Sequence, residues 1–382
     1  MSVAKLITQN FRNLNGISLD FHPKLNFVVG DNGSGKSSLL EALFFLGHGK
    51  SFRTSKIDSL ACHDTDTFVV SIRDTNDLQL GLSRNISSGL TNIKIDGQAH
   101  NRLSILAKNI AIQIVTPESF KLFFGGPKER RRFIDLGMFH VKHDFSTLWK
   151  NFNRVLKQRN ASIRANAVSQ YDNNNSMLSY WTEQFCRLSV EVSELRAKYV
   201  SEIISELNNW LTILLPSLNE KVTVQYLQGW PQKNTLIDTL TINKEKESNY
   251  GYSLYGAHKF DVRFLLDKKA IETQLSRGQQ KLFLLALTFA QASFIARVQL
   301  VKPILLIDDI GAELDINSRT ALSNAIEQLD CQVIITAIES NALEPFLGKG
   351  EERKYSMFHV KHGKVSERYP DDSEFNKSEK AM

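Results

Sequence analysis

Cysteine is scarce: Cys62, Cys186 and Cys331 are the only three, and none sits in a C-x-x-C pair. An odd count argues against a disulfide scaffold, and the spacing offers no zinc framework. The opening residues, 1–13, lack the apolar core of a secretory signal. The longest apolar run, 282–296, is interrupted by Thr288, Gln291 and Ser293. It is too short to cross a bilayer and reads as a buried helix, so the chain is expected in the cytoplasm. Aromatic residues are scattered rather than clustered, which excludes a base-stacking platform and argues against sequence-specific reading of a nucleic acid. There is no domain-scale repeat.

What is present is a chain of 382 residues, 42% hydrophobic, long enough for two or three units with their own cores. The net charge is +6 and the pI about 9.0, a balance that suits a polyanionic partner without requiring one. Residues 3–8 and 25–29 read as short strands, the second a tight apolar run ending in Gly30. Alternation over 67–98, with turn signals at 74–77, 87–89 and 96–97, predicts an antiparallel meander. Residues 110–115 form another apolar run, stopped by Pro117.

From about 127 to 216 glycine nearly vanishes and helical periodicity dominates, with one break at 172–176, predicting a lobe of four to six helices. Strand character returns at 222–227 and 262–266. The final third alternates a helix from Arg277, a strand at 303–308, a helix near 317–329 and a strand at 332–336, the pattern of an α/β sheet. The tail after Val365 is polar and expected to fray. The hexapeptide MFHVKH occurs at 138–143 and again at 357–362. Its histidines are too distant in sequence to predict a metal site.

Gly30-Asp31-Asn32-Gly33-Ser34-Gly35-Lys36-Ser37 fits G-x-x-x-x-G-K-[ST], the phosphate-binding P-loop, and Ser38 continues it into a predicted helix. Glycines let backbone N–H groups converge on phosphate oxygens, Lys36 can reach the β- and γ-phosphates, and the Ser37 hydroxyl can ligate Mg²⁺. The apolar strand 304–307 ends in Asp308-Asp309. Asp308 is expected on the metal side and Asp309 as the general base for an attacking water. Gln274-Leu275-Ser276-Arg277-Gly278-Gln279-Gln280 precedes the longest apolar helix. It resembles the LSGGQ signature of ABC ATPases, with Arg277 in place of one glycine, Ser276 as N-cap and the Gly278 N–H exposed. Glu313-Leu314-Asp315 resembles the D-loop of the same class.

With Asn10-Phe11-Arg12-Asn13, Pro117-Glu118, Gly125-Gly126-Pro127, residues 130–135 (RRRFID), 156–160 (LKQRN) and 256–261 (GAHKFD), this set resembles the RecF family, bacterial recombination mediators related to SMC heads, over nearly the whole chain. The resemblance implies an α/β P-loop NTPase of the ABC/SMC head type, with an antiparallel β subdomain and an inserted helical lobe. Residues 1–116 and 255–382 would form the head and 117–254 the lobe. It implies that Arg12 and Asn13 lie beside the nucleotide. Two heads would dimerise head to tail around two ATPs, pairing Lys36, Ser37 and Asp308 of one copy with Ser276, Arg277, Gly278 and Gln279 of the other. It further implies slow, DNA-stimulated hydrolysis, DNA binding at single-stranded or gapped sites in the ATP state, and action with RecR and RecO to help RecA load, in support of the SOS response.

Several residues depart from the general ABC pattern. Asp309 stands where transporters carry glutamate, Thr336-Ala337 stand where a switch histidine is usual, and the Q-loop candidate Gln113 could equally point into the sheet. The alternatives are a transporter cassette, which would need membrane partners, and a structural ATP-binding module. A long-armed SMC protein is excluded by the lack of sustained heptads, and an OLD-type nuclease by the lack of room for an acidic domain. DNA phosphates could be met by Lys128, Arg130, Arg131 and Arg132, or by Lys150, Arg154, Lys157, Arg159 and Arg164. The same runs could be solvated helix faces, and Arg131 and Arg132 could instead form internal carboxylate pairs.

Overall fold

The computed structural model describes residues 2–14, 16–142, 144–168, 173–299, 302–310, 314–347 and 354–368. The chain forms two compact units, one of Met1–Phe120, Trp210–Pro216 and Ser276–Met382, the other of Lys121–Asn209 and Ser217–Leu275.

The first unit holds two six-stranded sheets. One is antiparallel, in the order β2-β1-β4-β5-β6-β7, from β1 (Val3–Gln9), β2 (Ile17–Asp20), β4 (Thr67–Asp74), β5 (Gln79–Asn85), β6 (Thr91–Ile95) and β7 (Gln98–His100). The predicted meander is its second half. The other runs β15-β14-β3-β13-β12-β8, from β3 (Leu25–Val29), β8 (Ile112–Val115), β12 (Ile304–Ile307), β13 (Gln332–Ala337), β14 (Tyr355–Lys361) and β15 (Lys364–Glu367). Its strands are parallel except for the β14–β15 hairpin. β3, β12 and β13 are apolar without alternation because both faces of a parallel sheet are covered.

The helix Lys36–His48 shares one core with both sheets, with Leu39, Leu43 and Phe45 packed among Phe11, Phe68, Leu82, Ile304 and Ile334. The helix Arg277–Gln299 is long and apolar enough to cross a membrane, but its stretch Lys281–Ala292 is buried inside this unit, the pattern of a core helix. Gln332, itself buried, exchanges two 2.8 Å hydrogen bonds with the Val3 backbone and so ties β13 to β1.

The second unit is mainly helical, built on Pro127–Val141, Phe145–Val168 and the helix Asn173–Leu214 as far as Asn209. It also contains a three-stranded antiparallel sheet, β11-β10-β9, from β9 (Val222–Leu227), β10 (Asp261–Leu266) and β11 (Lys269–Ala270). This moves the expected lobe boundary. Residues 255–275 belong with the lobe rather than the head, because β10 pairs along its length with β9 and because Asp261 receives two 2.9 Å hydrogen bonds from Arg130.

The centre of this unit is a charged side chain. Arg196 is fully buried. Its guanidinium donates to both Asp135 carboxylate oxygens at 2.8 and 3.0 Å and to the Ala257 carbonyl at 2.6 Å. It also lies 3.8 Å from the Phe260 ring centroid and 4.6 Å from that of Trp149. Burial pulls the guanidinium below its ordinary value and pushes the Asp135 carboxyl up, against their mutual attraction. A pair held this way contributes little over an apolar substitute, but removing one partner strands the other charge. Asp135→Ala is therefore expected to destabilise the protein by about 3–5 kcal/mol, read by urea unfolding through tryptophan fluorescence. A loss below about 1 kcal/mol would contradict this account of the lobe.

Candidate functional site

The site is assembled in the first unit at the carboxyl ends of β3 and β12. After β3 the chain must turn sharply beside β14. At Gly30 (φ +157°) an added Cβ would lie 2.2 Å from the Val360 carbonyl oxygen, so no side chain fits there. The loop that follows exposes Asp31, Asn32 and Gly33 and buries Ser34, Gly35, Lys36 and Ser38. The Lys36 ammonium donates to the Gly30 carbonyl at 2.5 Å and the Asp31 carbonyl at 3.0 Å. Two of its three protons thus hold the loop in a ring, and one is left for a ligand. Burial lowers the Lys36 pKa, opposed by the charges of Asp309, Asp308 and Asp31.

The loop is braced from behind. Asn13 donates to the Ser34 carbonyl at 3.1 Å, and the Gly363 N–H donates to the same carbonyl at 2.8 Å. Gly363 closes the β14–β15 hairpin, with His362 at φ 49° and Gly363 at φ 75°, the backbone of a type I′ turn. An added Cβ there would fall 1.9 Å from the Asn13 carbonyl oxygen. This brace was missed in the sequence, although the His-Gly pair between alternating residues was a usable hairpin signal. Arg12, expected beside the nucleotide, is anchored inward. Its guanidinium grips the buried Glu41 carboxylate at 2.9 and 3.0 Å and the Ser59 carbonyl at 2.9 Å, and Ser51 donates to the same carboxylate.

Across the loop stand the two acids. The Ser37 hydroxyl lies 3.1 and 3.2 Å from the Asp308 carboxylate oxygens. Thr336, fully buried on β13, donates to Asp308 Oδ1 at 2.7 Å and accepts the Asp309 N–H at 2.8 Å. The residue in the place of a switch histidine therefore fixes the Asp308 carboxylate and the Asp309 backbone with one hydroxyl. Burial raises the Asp308 carboxyl above its ordinary value; the Thr336 and Ser37 hydrogen bonds pull it back, Asp309 adds to the rise and Lys36 opposes it. Asp309 occupies the left-handed region at φ 53°, held by the Thr336 hydroxyl and by the Ile310 N–H on the Thr336 carbonyl at 3.1 Å. Such backbone strain in a non-glycine residue clusters at functional sites. Its Oδ1 is buried yet accepts no hydrogen bond among the described residues.

The signature segment stands apart. Ser276 accepts the Gln279 N–H at 3.3 Å while Gln279 accepts the Ser276 N–H at 3.0 Å, a reciprocal capping box at the start of Arg277–Gln299. Ser276 and Arg277 are exposed, Gly278 and Gln279 half-buried. Among the described residues no hydrogen bond or ion pair joins them to the P-loop or to the acids. Gln113 points into the core, donating to Gln291 at 2.7 Å, so it does not serve the site. Asp315 caps the helix Ile316–Gln328 through the Ser318 N–H, whose hydrogen bond lowers its carboxyl pKa; Glu313 lies outside the described residues.

Two of the expected DNA contacts are internal. Arg130 is bound by Asp261, and Arg159 is buried against Glu247 at 2.6 Å and Ser253 at 2.6 Å. Arg131 donates to the Phe260 carbonyl, Arg164 to the Gly251 carbonyl, and Arg132 sits 3.7 Å from Glu129. Lys128, Lys150, Arg154 and Lys157 remain exposed.

Comparison with known proteins agrees with this geometry. Residues 2–115 and 184–366 match the family described as RecF/RecN/SMC N terminal domain. The chain is 67% identical over 373 residues to the DNA replication and repair protein RecF of Colwellia psychrerythraea, covering 96% of this chain and 97% of that one. It belongs to the RecF family. The RecF proteins of Pseudoalteromonas translucida and Haemophilus influenzae are 38% and 36% identical, each over 96% of this chain and 99% of their own.

In fold, this RecF-family chain is similar to a solved structure of the recombination mediator protein RecF with ATP in the RecFOR pathway. The TM-score is 0.82 at 23% identity, over 96% of this chain and 98% of that one. It is more loosely similar to an Smc head domain with an extended coiled coil from Pyrococcus furiosus, at a TM-score of 0.56 and 16% identity over the whole of both chains. The expected ABC/SMC head architecture is the one observed.

Proposed function

We propose that this chain is an ATP-driven switch of recombinational DNA repair and replication. In this reading it acts in the cytoplasm, dimerises head to tail on gapped or single-stranded DNA when ATP is bound, and releases on slow, DNA-stimulated hydrolysis. It would work with RecR and RecO to favour RecA loading. The observation that carries the reading is the joined cluster of Lys36, Ser37, Asp308, Thr336 and Asp309, with the signature residues held outside it on an exposed cap.

The donor set fits Mg²⁺ and a nucleotide. Among the described residues no group of three or more histidine, cysteine or acidic side chains gathers to hold a metal. A hydroxyl and one carboxylate suffice for Mg²⁺, which takes its remaining ligands from water and substrate phosphates. When bound there by Ser37 and Asp308, the ion would offset phosphate charge. The third proton of Lys36 and the loop N–H groups would hold the phosphates. Asp309, with an oxygen that accepts no hydrogen bond among the described residues, would take a proton from the water that attacks the γ-phosphate. Ser276 and Gly278 of a second copy would close the site, which makes the nucleotide part of the dimer interface.

Light scattering at fixed salt tests this. With Mg-ATP the mass is expected to double, and only then should a short gapped duplex be bound. A mass unchanged by ATP, with no DNA bound, would favour a cassette or a structural module.

A further inference from the structure

The antiparallel sheet has a second face that the ATP site does not use. Its inner face, with Leu6, Phe68, Val70, Leu80, Leu82 and Ile93, is buried in the core. Its outer face forms an open depression of about 390 Å³. Lys5 on β1 stands directly opposite Arg73 on β4, and the next row runs from Ser71 on β4 through Gly81 on β5 to Lys94 on β6.

Three features of this face point to a ligand. First, like charges directly opposite in a ladder destabilise it, yet Lys5 faces Arg73. Lys5 has Asp20 at 3.3 Å, while exposed Arg73 and Lys94 form no ion pair among the described residues. Asp96, beside Gly97 on the far rim, accepts the Gln79 N–H at 2.8 Å. Second, Gly81 is not required by the fold. It does not take a positive φ, and a Cβ there would make only an ordinary 3.6 Å contact with Ser71. Glycine inside a strand weakens it and often marks close approach of a ligand or another backbone. Third, the floor sets the hydroxyls of Ser71 and Ser83 beside Gly81, with Ile7 and Val69 alongside, and no aromatic side chain lines it.

We infer that this outer face seats the phosphate backbone of duplex DNA, with Arg73 and Lys94 as the principal cations and Lys5 in support. The inference rests on the DNA-binding reading above and assigns it a surface. Charge decides the class of occupant, and the lack of aromatics makes it the backbone rather than unstacked bases. Arg73 and Lys94 are two strands apart, about 10 Å across the sheet, and a duplex of that length carries about six phosphate charges. The seat also lies one layer from the nucleotide. β4 and β5 contact the helix Lys36–His48, which begins at Lys36 and Ser37.

The test is fluorescence anisotropy of a gapped duplex with the full chain and Mg-ATP over a salt series. Arg73→Ala with Lys94→Ala should weaken binding tenfold or more at low salt and reduce the slope of log K against log salt by about two, roughly 0.9 for each lost phosphate contact. ATP binding should stay unchanged. Gly81→Val, which fills the depression without altering charge, should also weaken binding. Parent-like affinity and slope in the double variant, with the parent binding DNA, would overturn the assignment and leave the DNA reading standing. Failure of the parent to bind DNA would overturn both. If the double variant kept DNA but lost a poly-glutamate probe that the parent binds, the face would belong to an acidic polypeptide and the assignment would fall.

Discussion

Asp309→Asn is expected to slow ATP hydrolysis by about a hundredfold or more, the usual contribution of a positioned general base, while ATP binding stays near the parent value. The amide is almost the same shape as the carboxylate but cannot accept the proton. Nothing that holds the position is lost, because the strained turn is fixed through backbone by Thr336, which binds the Asp309 N–H and the Ile310 N–H. Binding is kept because Lys36, Ser37 and Asp308 are untouched. The variant should therefore stay dimeric on DNA after ATP is added, where the parent is expected to release slowly. Phosphate release and nucleotide affinity measured on the same sample decide the matter. Hydrolysis at the parent rate would remove Asp309 from the role of base.

The second large effect is on binding itself. Lys36→Ala removes a buried ammonium that holds the loop and, in the proposed function, meets the phosphates. A hydrogen bond to a charged group contributes about 1.5–3 kcal/mol, and here the loop carbonyls of Gly30 and Asp31 would lose their donor as well. ATP affinity should fall about a hundredfold, and the ATP-dependent change in mass should vanish with it. Lys36→Arg is not expected to rescue, because the fork of a guanidinium cannot fit the ring that a compact ammonium closes. Titration with a fluorescent ATP analogue reads the effect directly; affinity within threefold of the parent would contradict it.

How much of this was visible in the chain depends on how local the physics is. The P-loop, the acidic end of β12 and the capped signature were legible because each is a short run whose chemistry fixes its own conformation. Thr336 was seen as a departure, but its hold on both acids needs β13 beside β12 in parallel register, which no local pattern encodes. Arg130 and Arg159 read as DNA contacts because their partners, Asp261 and Glu247, lie 131 and 88 positions away.

The repeated hexapeptide makes the same point. Met138–Val141 ends a helix, while Met357–Lys361 lies in β14 and pairs with β3 and β15. One sequence takes two conformations because its neighbours supply either a helix to finish or a strand to join, and tertiary context outweighs propensity. Residues 255–275 were assigned to the head for a related reason, since the strand that claims β10 is β9, inside the lobe.

The central claim is that each ATP site is shared between two copies, Lys36 and Ser37 from one and Ser276 from the other. Lys36→Ala and Ser276→Arg should each abolish hydrolysis alone. Mixed in equal amounts, only the mixed dimer holds an intact composite site, paired with one doubly broken one by the two-fold symmetry of the pairing. ATPase activity of the mixture should recover well above either variant alone, up to about half of the parent rate. A mixture as inactive as either variant alone would contradict the shared site.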